Sequence, residues 1–293
     1  MKTISAGVLE IAYHEYGPPD GSPVILLHGF PYDARSYDDV AGCLAGKNVR
    51  CLVPYLRGYG PTRFLNSDTM RSGQQAALAS DLLAFMDALS IPQAVLGGYD
   101  WGGRAACIVA ALWPDRVVGL VSCGKGYNIQ DISNAWKPAP AAVEARYWYM
   151  YYFNTRRGAE GLKQNRKELC RHIWGLWSPT WNVDQATYDE TARSFENPDF
   201  ADIVIHSYRH RFGDVDGDPQ LVELEARLAK QPDISVPTVV LQGADDGVDP
   251  PPIEDLDRPH FSGDYRRVIT EGIGHNFPQE APRAFADAVL SLL

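Results

Sequence analysis

No apolar run in this sequence is long enough to cross a membrane. The longest, Ala105 to Trp113, falls far short of the roughly 20 residues that a bilayer requires. The stretch Met1 to Gly7 has no apolar signal core, so a cytoplasmic location is expected. A surplus of positive charge is also lacking: 27 Lys and Arg face 37 Asp and Glu, a formal net charge of −10. Polyanions need basic patches, so neither nucleic acid nor an anionic membrane is an expected partner. The surplus acid reads as a solvated surface. Five cysteines (Cys43, Cys51, Cys107, Cys123, Cys170) make no C-x-x-C pair and no spaced framework, as expected of reduced, largely buried thiols. The seven histidines show no ligand spacing, and no phosphate loop or dinucleotide fingerprint is present. No metal and no cofactor are therefore expected.

What is present is an ordinary globular composition, 45% hydrophobic and 22% charged, over a length that suits one large domain with an insertion. Val8 to Tyr16 roughly alternates apolar and polar residues, the pattern of an antiparallel hairpin at a sheet edge. Val24 to Leu27 is continuously apolar, as in a strand buried on both faces. Helices are expected from about Arg35 and over Gln74 to Leu89, with a strand over Val49 to Val53. Next come a strand at Ala94 to Gly98, an apolar helix at Gly102 to Leu112 and a strand at Val117 to Ser122. This strand–helix alternation implies a parallel sheet with helices on both sides.

Between about Tyr127 and Gln231 strand signals vanish, and aromatic residues and arginines become dense. A helical cap over 127–231 is expected, between core segments 1–126 and 232–293. Strands resume at Pro237 to Gly243 and near Tyr265 to Ile269, and a last helix runs from about Pro282.

The chemistry is concentrated at strand ends. Gly98-Tyr99-Asp100-Trp101-Gly102 lies between a buried strand and an apolar helix, with the G-x-nucleophile-x-G spacing of a nucleophile elbow and aspartate at its centre. A helix N-terminus favours an anion there. A bare N-cap role for Asp100 would not explain the flanking glycines. His275 sits in a glycine-rich loop after the last strand, in the chain order expected of the triad. For the acid, Asp246 fits the G-x-x-D spacing after the preceding strand. Asp245 remains an alternative and Asp131 a further one.

A carboxylate nucleophile suits displacement at saturated carbon, leaving an ester that activated water must hydrolyse. Four motifs carry a resemblance over essentially the whole chain: H-G-F-P at His28 to Pro31, R-G-Y-G at Arg57 to Gly60, G-Y-D-W-G at the elbow and G-H-N at Gly274 to Asn276. Together they resemble the epoxide hydrolase and dehalogenase branch of the α/β-hydrolases, the epoxide hydrolases most closely. The resemblance implies a mostly parallel eight-stranded sheet with flanking helices and an inserted helical cap. It also implies an oxyanion site at the backbone N–H groups of Phe30 and Trp101, with His28 bracing the loop. In the cap, Ser207-Tyr208-Arg209 resembles the segment that carries one proton-donating tyrosine. Tyr149 to Phe153 resembles the other, with Tyr149 the better match and Tyr152 second. The activity implied is epoxide opening to a vicinal diol, and the aromatic residues of the cap segment suggest an apolar or aromatic small-molecule substrate.

Haloalkane or haloacid dehalogenation with the same nucleophile is the alternative. Phe30 in the H-G-x-P slot weakens the haloalkane version, and Trp101 and Tyr149 weaken the haloacid one. A non-catalytic ligand-binding protein is the reading from another class, and the complete triad argues against it. Arg104 is read either as a substrate contact or as half of an ion pair bracing a helix or loop. A homodimer is left open.

Overall fold

The computed structural model describes residues 1–293. An edge hairpin comes first, β1 (Lys2–Ala6) and β2 (Leu9–Tyr16), followed by β3 (Ser22–Leu27), β4 (Val49–Pro54) and the two-residue β5 (Arg63–Phe64). The remaining strands are β6 (Ala94–Tyr99), β7 (Val117–Cys123), β8 (Thr238–Gly243) and β9 (Tyr265–Thr270). They form one sheet in the order β1-β2-β4-β3-β6-β7-β8-β9, with β5 pairing on β2. The expected eight strands are thus joined by a ninth, β5, too short to leave an apolar signal. Pairs involving β1, β2 and β5 are antiparallel, and every pair from β4 through β9 is parallel.

Helices of the core are α1 (Asp38–Leu44), α2 (Gln75–Ala88) and α3 (Asp100–Leu112). Between β7 and β8 the chain forms α4 (Ala141–Arg146), α5 (Trp148–Asn154), α6 (Arg156–Trp177), α7 (Gln185–Ala192), α8 (Phe200–Arg211) and α9 (Val222–Leu228), which we call the cap. After β9 come α10 (Phe277–Glu280) and α11 (Pro282–Leu290). The chain near Arg35 first makes a 3-10 turn, Ala34–Tyr37, because Asp33 accepts the Arg35 N–H there. No helix is long and apolar enough to cross a membrane.

Neighbouring glycines of β6 show how the layers are arranged. A Cβ on Gly97 would meet Phe285 of α11, and one on Gly98 would meet the backbone of Gly102 in α3. Successive strand residues face opposite sides, so α11 and α3 cover opposite faces of the sheet. This sandwiching explains why Val24, Ile25 and Leu26 of β3 are fully buried and why their run never alternates. The 77 residues of the hydrophobic core form a single cluster that includes Phe153, Trp174 and Tyr208, so cap and sheet pack as one body. Four of the five cysteines are buried in it and none is bridged.

The chain leaves β3 for β4 on one side and returns to β6 on the other. This reversal opens a crevice at the carboxyl ends of β3 and β6, where open α/β sheets bind their ligands. Leu27 at the end of β3 pairs with Gly98 of β6, so the loop starting at His28 and the elbow at Asp100 emerge side by side.

Candidate active site

Asp100 is the first residue of α3 and has φ of +50°. A non-glycine residue there is strained, and the surrounding packing must hold it. The approach is too close for any side chain at two glycines. A Cβ on Gly102 would fall 2.0 Å from the Leu27 carbonyl oxygen, and one on Gly29 would fall 2.4 Å from Cβ of Asp100. Asn128 secures the turn from the far side, its Nδ2 donating to the Asp100 carbonyl oxygen at 2.8 Å.

The backbone N–H of Phe30 donates to Asp100 Oδ1 at 2.8 Å. Trp101, second in α3, has an N–H with no intrahelical acceptor, as at any helix start. His28 is fully buried and braces the loop: its Nδ1 donates to the Gly29 carbonyl oxygen and its Nε2 accepts from the Leu56 N–H, both at 3.1 Å. Burial lowers its pKa to about 4, which keeps the ring neutral and able to accept.

His275 Nδ1 donates to Asp246 Oδ2 at 2.8 Å. Asp246 Oδ1 accepts the N–H groups of Val248 and Asp249, each at 2.9 Å, which fixes the carboxylate plane. Asp246 is therefore the residue that meets His275. Asp245, its neighbour, is not a partner of the ring, and Asp131 is occupied with Asn134 instead. His275 Nε2 lies 4.0 Å from Asp100 Oδ2. Burial lowers the His275 pKa, but Asp246, then Asp100 and Asp249, outweigh it and push the ring up to about 9.

The cap closes over this group. Tyr149 and Tyr208 have ring centroids 5.4 Å apart, and Tyr208 lies 5.5 Å from the Phe30 ring and 6.2 Å from Trp101. Burial raises the pKa of both tyrosines, and the Asp100 charge raises Tyr208 further, so both hydroxyls keep their protons. Tyr152 is the correction. Its hydroxyl is directed at Gly161 of α6, where an added Cβ would come within 2.1 Å of it, so it does not reach Asp100. Tyr149 and Phe153, four residues apart, occupy the helix face toward Tyr208, and Tyr152 lies off that face.

Several residues at the site carried no recognisable signal in the sequence. Ser178 accepts the His275 N–H at 3.0 Å and donates to Glu280 at 2.7 Å. Glu280 also accepts the Gly274 N–H at 2.8 Å. Together they clamp the histidine loop. Trp177 packs its ring 4.9 Å from that of His275. Asn128 and Arg211 also line the pocket containing Asp100 and His275. These side chains are separated in sequence from the motifs they serve, apart from Glu280, five residues beyond His275.

Arg104 is buried, its Nε has no hydrogen-bond partner, and its nearest polar contact is Asn128 Oδ1 at 3.5 Å. No carboxylate lies within ion-pairing distance, so the ion-pair expectation does not hold.

Residues 22–282 match the family described as the alpha/beta hydrolase fold. Among solved structures, a Klebsiella pneumoniae protein provisionally named an epoxide hydrolase is 48% identical with a TM-score of 0.97, covering 99% of this chain and 96% of its own. A Pseudomonas aeruginosa structure, also provisionally named so, has a TM-score of 0.80 at 20% identity, covering 100% of this chain and 94% of its own, which speaks for the fold alone. Among curated proteins, epoxide hydrolase A of Mycobacterium tuberculosis is 26% identical over 95% of this chain and 92% of its own length. Epoxide hydrolase B of the same organism is 32% identical over 54% of this chain and 47% of its own. The chain belongs to the alpha/beta hydrolase fold family and is a hydrolase of the epoxide hydrolase-like kind.

Proposed function

We propose that this hydrolase opens epoxides to vicinal diols through a covalent ester on Asp100. The carrying observation is one carboxylate that accepts the Phe30 N–H and faces the His275–Asp246 pair, in a pocket that Tyr149 lines and beside which Tyr208 packs against Tyr149. The curated relatives named epoxide hydrolases support the same reading. Segment 127–231 then acts as the cap domain, and segments 1–126 and 232–293 as the two parts of the core.

In the first step an oxygen of Asp100 attacks an epoxide carbon. The ring C–O bond breaks, and its electron pair goes to the departing oxygen. Tyr208 or Tyr149 donates the proton that makes this oxygen a hydroxyl. In the second step water attacks the carbonyl carbon of the ester while His275 Nε2 takes its proton. The Asp246 carboxylate stabilises the imidazolium so formed. The N–H groups of Phe30 and Trp101 hold the oxyanion of the tetrahedral intermediate. Collapse breaks the bond between the carbonyl carbon and the alkyl oxygen, which takes the proton of the newly added hydroxyl to complete the diol and leaves Asp100 a carboxylate, and the His275 proton returns to the tyrosinate. Asp100 retains one oxygen from water.

The test is a single turnover in heavy-oxygen water, with the mass of the Asp100 peptide measured afterwards. Label is expected in the carboxyl group, and its absence overturns the mechanism. A bromoalkane run beside an aryl epoxide separates the dehalogenase alternative: bromide release without diol would reverse the assignment.

A further inference from the structure

The loop after β8 carries a second carboxylate three residues beyond the triad acid. Asp249 lines the pocket that holds Asp100 and His275, and these two aspartates are its acidic residues. Arg104, Lys125 and Arg211 line the same pocket and balance them in charge. Neither the triad nor the oxyanion amides of the proposed mechanism use Asp249.

Its position is fixed from several sides. The Asp249 N–H donates to Asp246 Oδ1 at 2.9 Å, so both carboxylates belong to one turn. Gly247 between them presses on the cap: its N–H donates to the Trp177 carbonyl oxygen at 2.9 Å, and a Cβ there would fall 1.9 Å from the Leu176 carbonyl oxygen. Asp249 Oδ1 accepts the Tyr147 hydroxyl of the cap at 2.6 Å and lies 3.5 Å from Lys125 Nζ in the loop after β7. No protein group donates to Oδ2. Burial opposes ionisation of this carboxyl, but Lys125, the Tyr147 hydroxyl, His275 and Arg211 outweigh it and hold it below the usual carboxylate range. Asp249 is therefore an anionic acceptor with one oxygen anchored and the other unused.

The group it shares the pocket with lacks a partner too. His275 Nε2 is buried, makes no hydrogen bond and stands 4.0 Å from Asp100 Oδ2. The pocket has a volume of about 20 Å³, on the scale of a single water. A water that attacks an ester carries two O–H groups, and His275 accepts one. With no acceptor for the other, the water turns about the first bond and its lone pairs sweep past the carbonyl carbon. A second acceptor fixes both hydrogens and leaves a lone pair for the carbon.

We propose that Asp249 is that second acceptor, a further catalytic residue whose Oδ2 holds the hydrolytic water together with His275. This rests on the ester mechanism above and adds a residue to its second step. The water oxygen gives a lone pair to the ester carbonyl carbon, and the O–H facing His275 yields its proton to Nε2. The other O–H stays donated to Asp249 and becomes the hydroxyl of the tetrahedral intermediate until collapse. Asp249 itself neither gains nor loses a proton.

The test is rapid-quench measurement of both steps with an aryl epoxide in Asp249→Asn. Tyr147 and Lys125 hold the amide oxygen of that variant, so its NH2 group faces the water and donates where the carboxylate accepts. Ester hydrolysis should slow about tenfold or more, the worth of a hydrogen bond to a charged group, while ester formation keeps the parent rate. Asp249→Ala, which removes the acceptor without supplying a donor, should show the same split. Hydrolysis at the parent rate overturns the proposal. So does an equal slowing of both steps, which would make Asp249 a structural brace. If the variants do not fold, or if the parent forms no ester on Asp100, a crystal structure of the parent decides the water site by itself. A water within about 3.2 Å of both His275 Nε2 and Asp249 Oδ2 sustains it. A water on His275 alone, or none, refutes it. Such a water in a parent that forms no ester would sink the mechanism and leave the site standing.

Discussion

Nε2 of His275 stands 4.0 Å from Oδ2 of Asp100, beyond hydrogen-bond distance, while the opposite nitrogen of the same ring is held at 2.8 Å by Asp246. The ring is therefore anchored from behind and has no protein partner in front, where Nε2 is buried. In the proposed mechanism, a group placed in this way suits the second step, attack of water on an Asp100 ester, better than the first. Replacing His275 with Gln should let the ester form and prevent its hydrolysis. Steady turnover should fall by about 10²–10⁴-fold. A burst of one equivalent, with the substrate mass on the Asp100 peptide, is the expected result. Turnover within tenfold of the parent enzyme would remove His275 from its role.

The acid behind the ring has its own signature. Asp246→Asn keeps an oxygen for the Val248 and Asp249 N–H groups but reverses the preference for the His275 Nδ1–H tautomer. Ester hydrolysis should fall on the order of 10³–10⁴-fold with ester formation much less affected. Asp245→Asn, made alongside, should be close to the parent. Rapid-quench measurement of both steps checks this.

The high pKa of His275 carries a pH prediction. Its folded value, about 9, lies above the ordinary 6.5. Its stabilising contribution is therefore fully present below pH 6.5 and is lost as the pH rises through 9. Esterification of Asp100 removes one of the charges that raise it, so the ring becomes a neutral base more easily at that stage. NMR titration should show a lower His275 pKa in Asp100→Asn than in the parent. An unchanged value would separate the two residues electrostatically.

Tyr149 and Tyr208 pack edge to face in the cap, the two candidate proton donors of the proposed first step. Tyr208→Phe and Tyr149→Phe should each slow epoxide opening by about ten- to a hundredfold, and the double variant should lose more than either alone. Hydrolysis of a preformed ester should be little changed. Tyr152→Phe, whose hydroxyl is turned toward Gly161, should behave like the parent in this pre-steady-state assay.

Asp33 joins core to cap. Its buried carboxylate accepts Ser194 Oγ at 2.6 Å and Thr191 Oγ1 at 3.2 Å from the chain after β7, and the Arg35 N–H from its own loop. Burial, opposed by these donors, raises its pKa to about 7 from 3.8. A carboxyl raised in this way stabilises the fold below its unfolded value, and the contribution is lost as the pH rises through 7. Thermal melts of the parent should therefore decline between pH 4 and 7 more steeply than those of Asp33→Asn. Parallel declines would refute this linkage.

Much of this molecule was legible in sequence because the information is local. The uninterrupted run Val24 to Leu27 and the glycines around Asp100 each describe a few consecutive residues in one environment, and that environment is what β3 and the elbow provide. The two-residue β5 left no trace, because a strand that short has no period to detect. The order of Asp100, Asp246 and His275 along the chain was readable for the same reason: each follows its own strand.

Choices between similar neighbours were different in kind. Asp245 and Asp246 are adjacent, and only the backbone of the loop after β8 turns one carboxylate toward His275 and the other away. Tyr149 and Tyr152 lie one turn apart, and the packing of α5 on α6 and α8 decides which of them lines the pocket that holds Asp100. Arg104 and Arg211 are more than a hundred residues apart, and no pattern in the chain announces that they share a wall. Sequence by itself determined which elements form and what chemistry their ends can carry, because propensity, burial period and turn geometry act over a few residues. Tertiary structure alone decided which side chains converge, because that depends on directions set by contacts between segments distant in the chain.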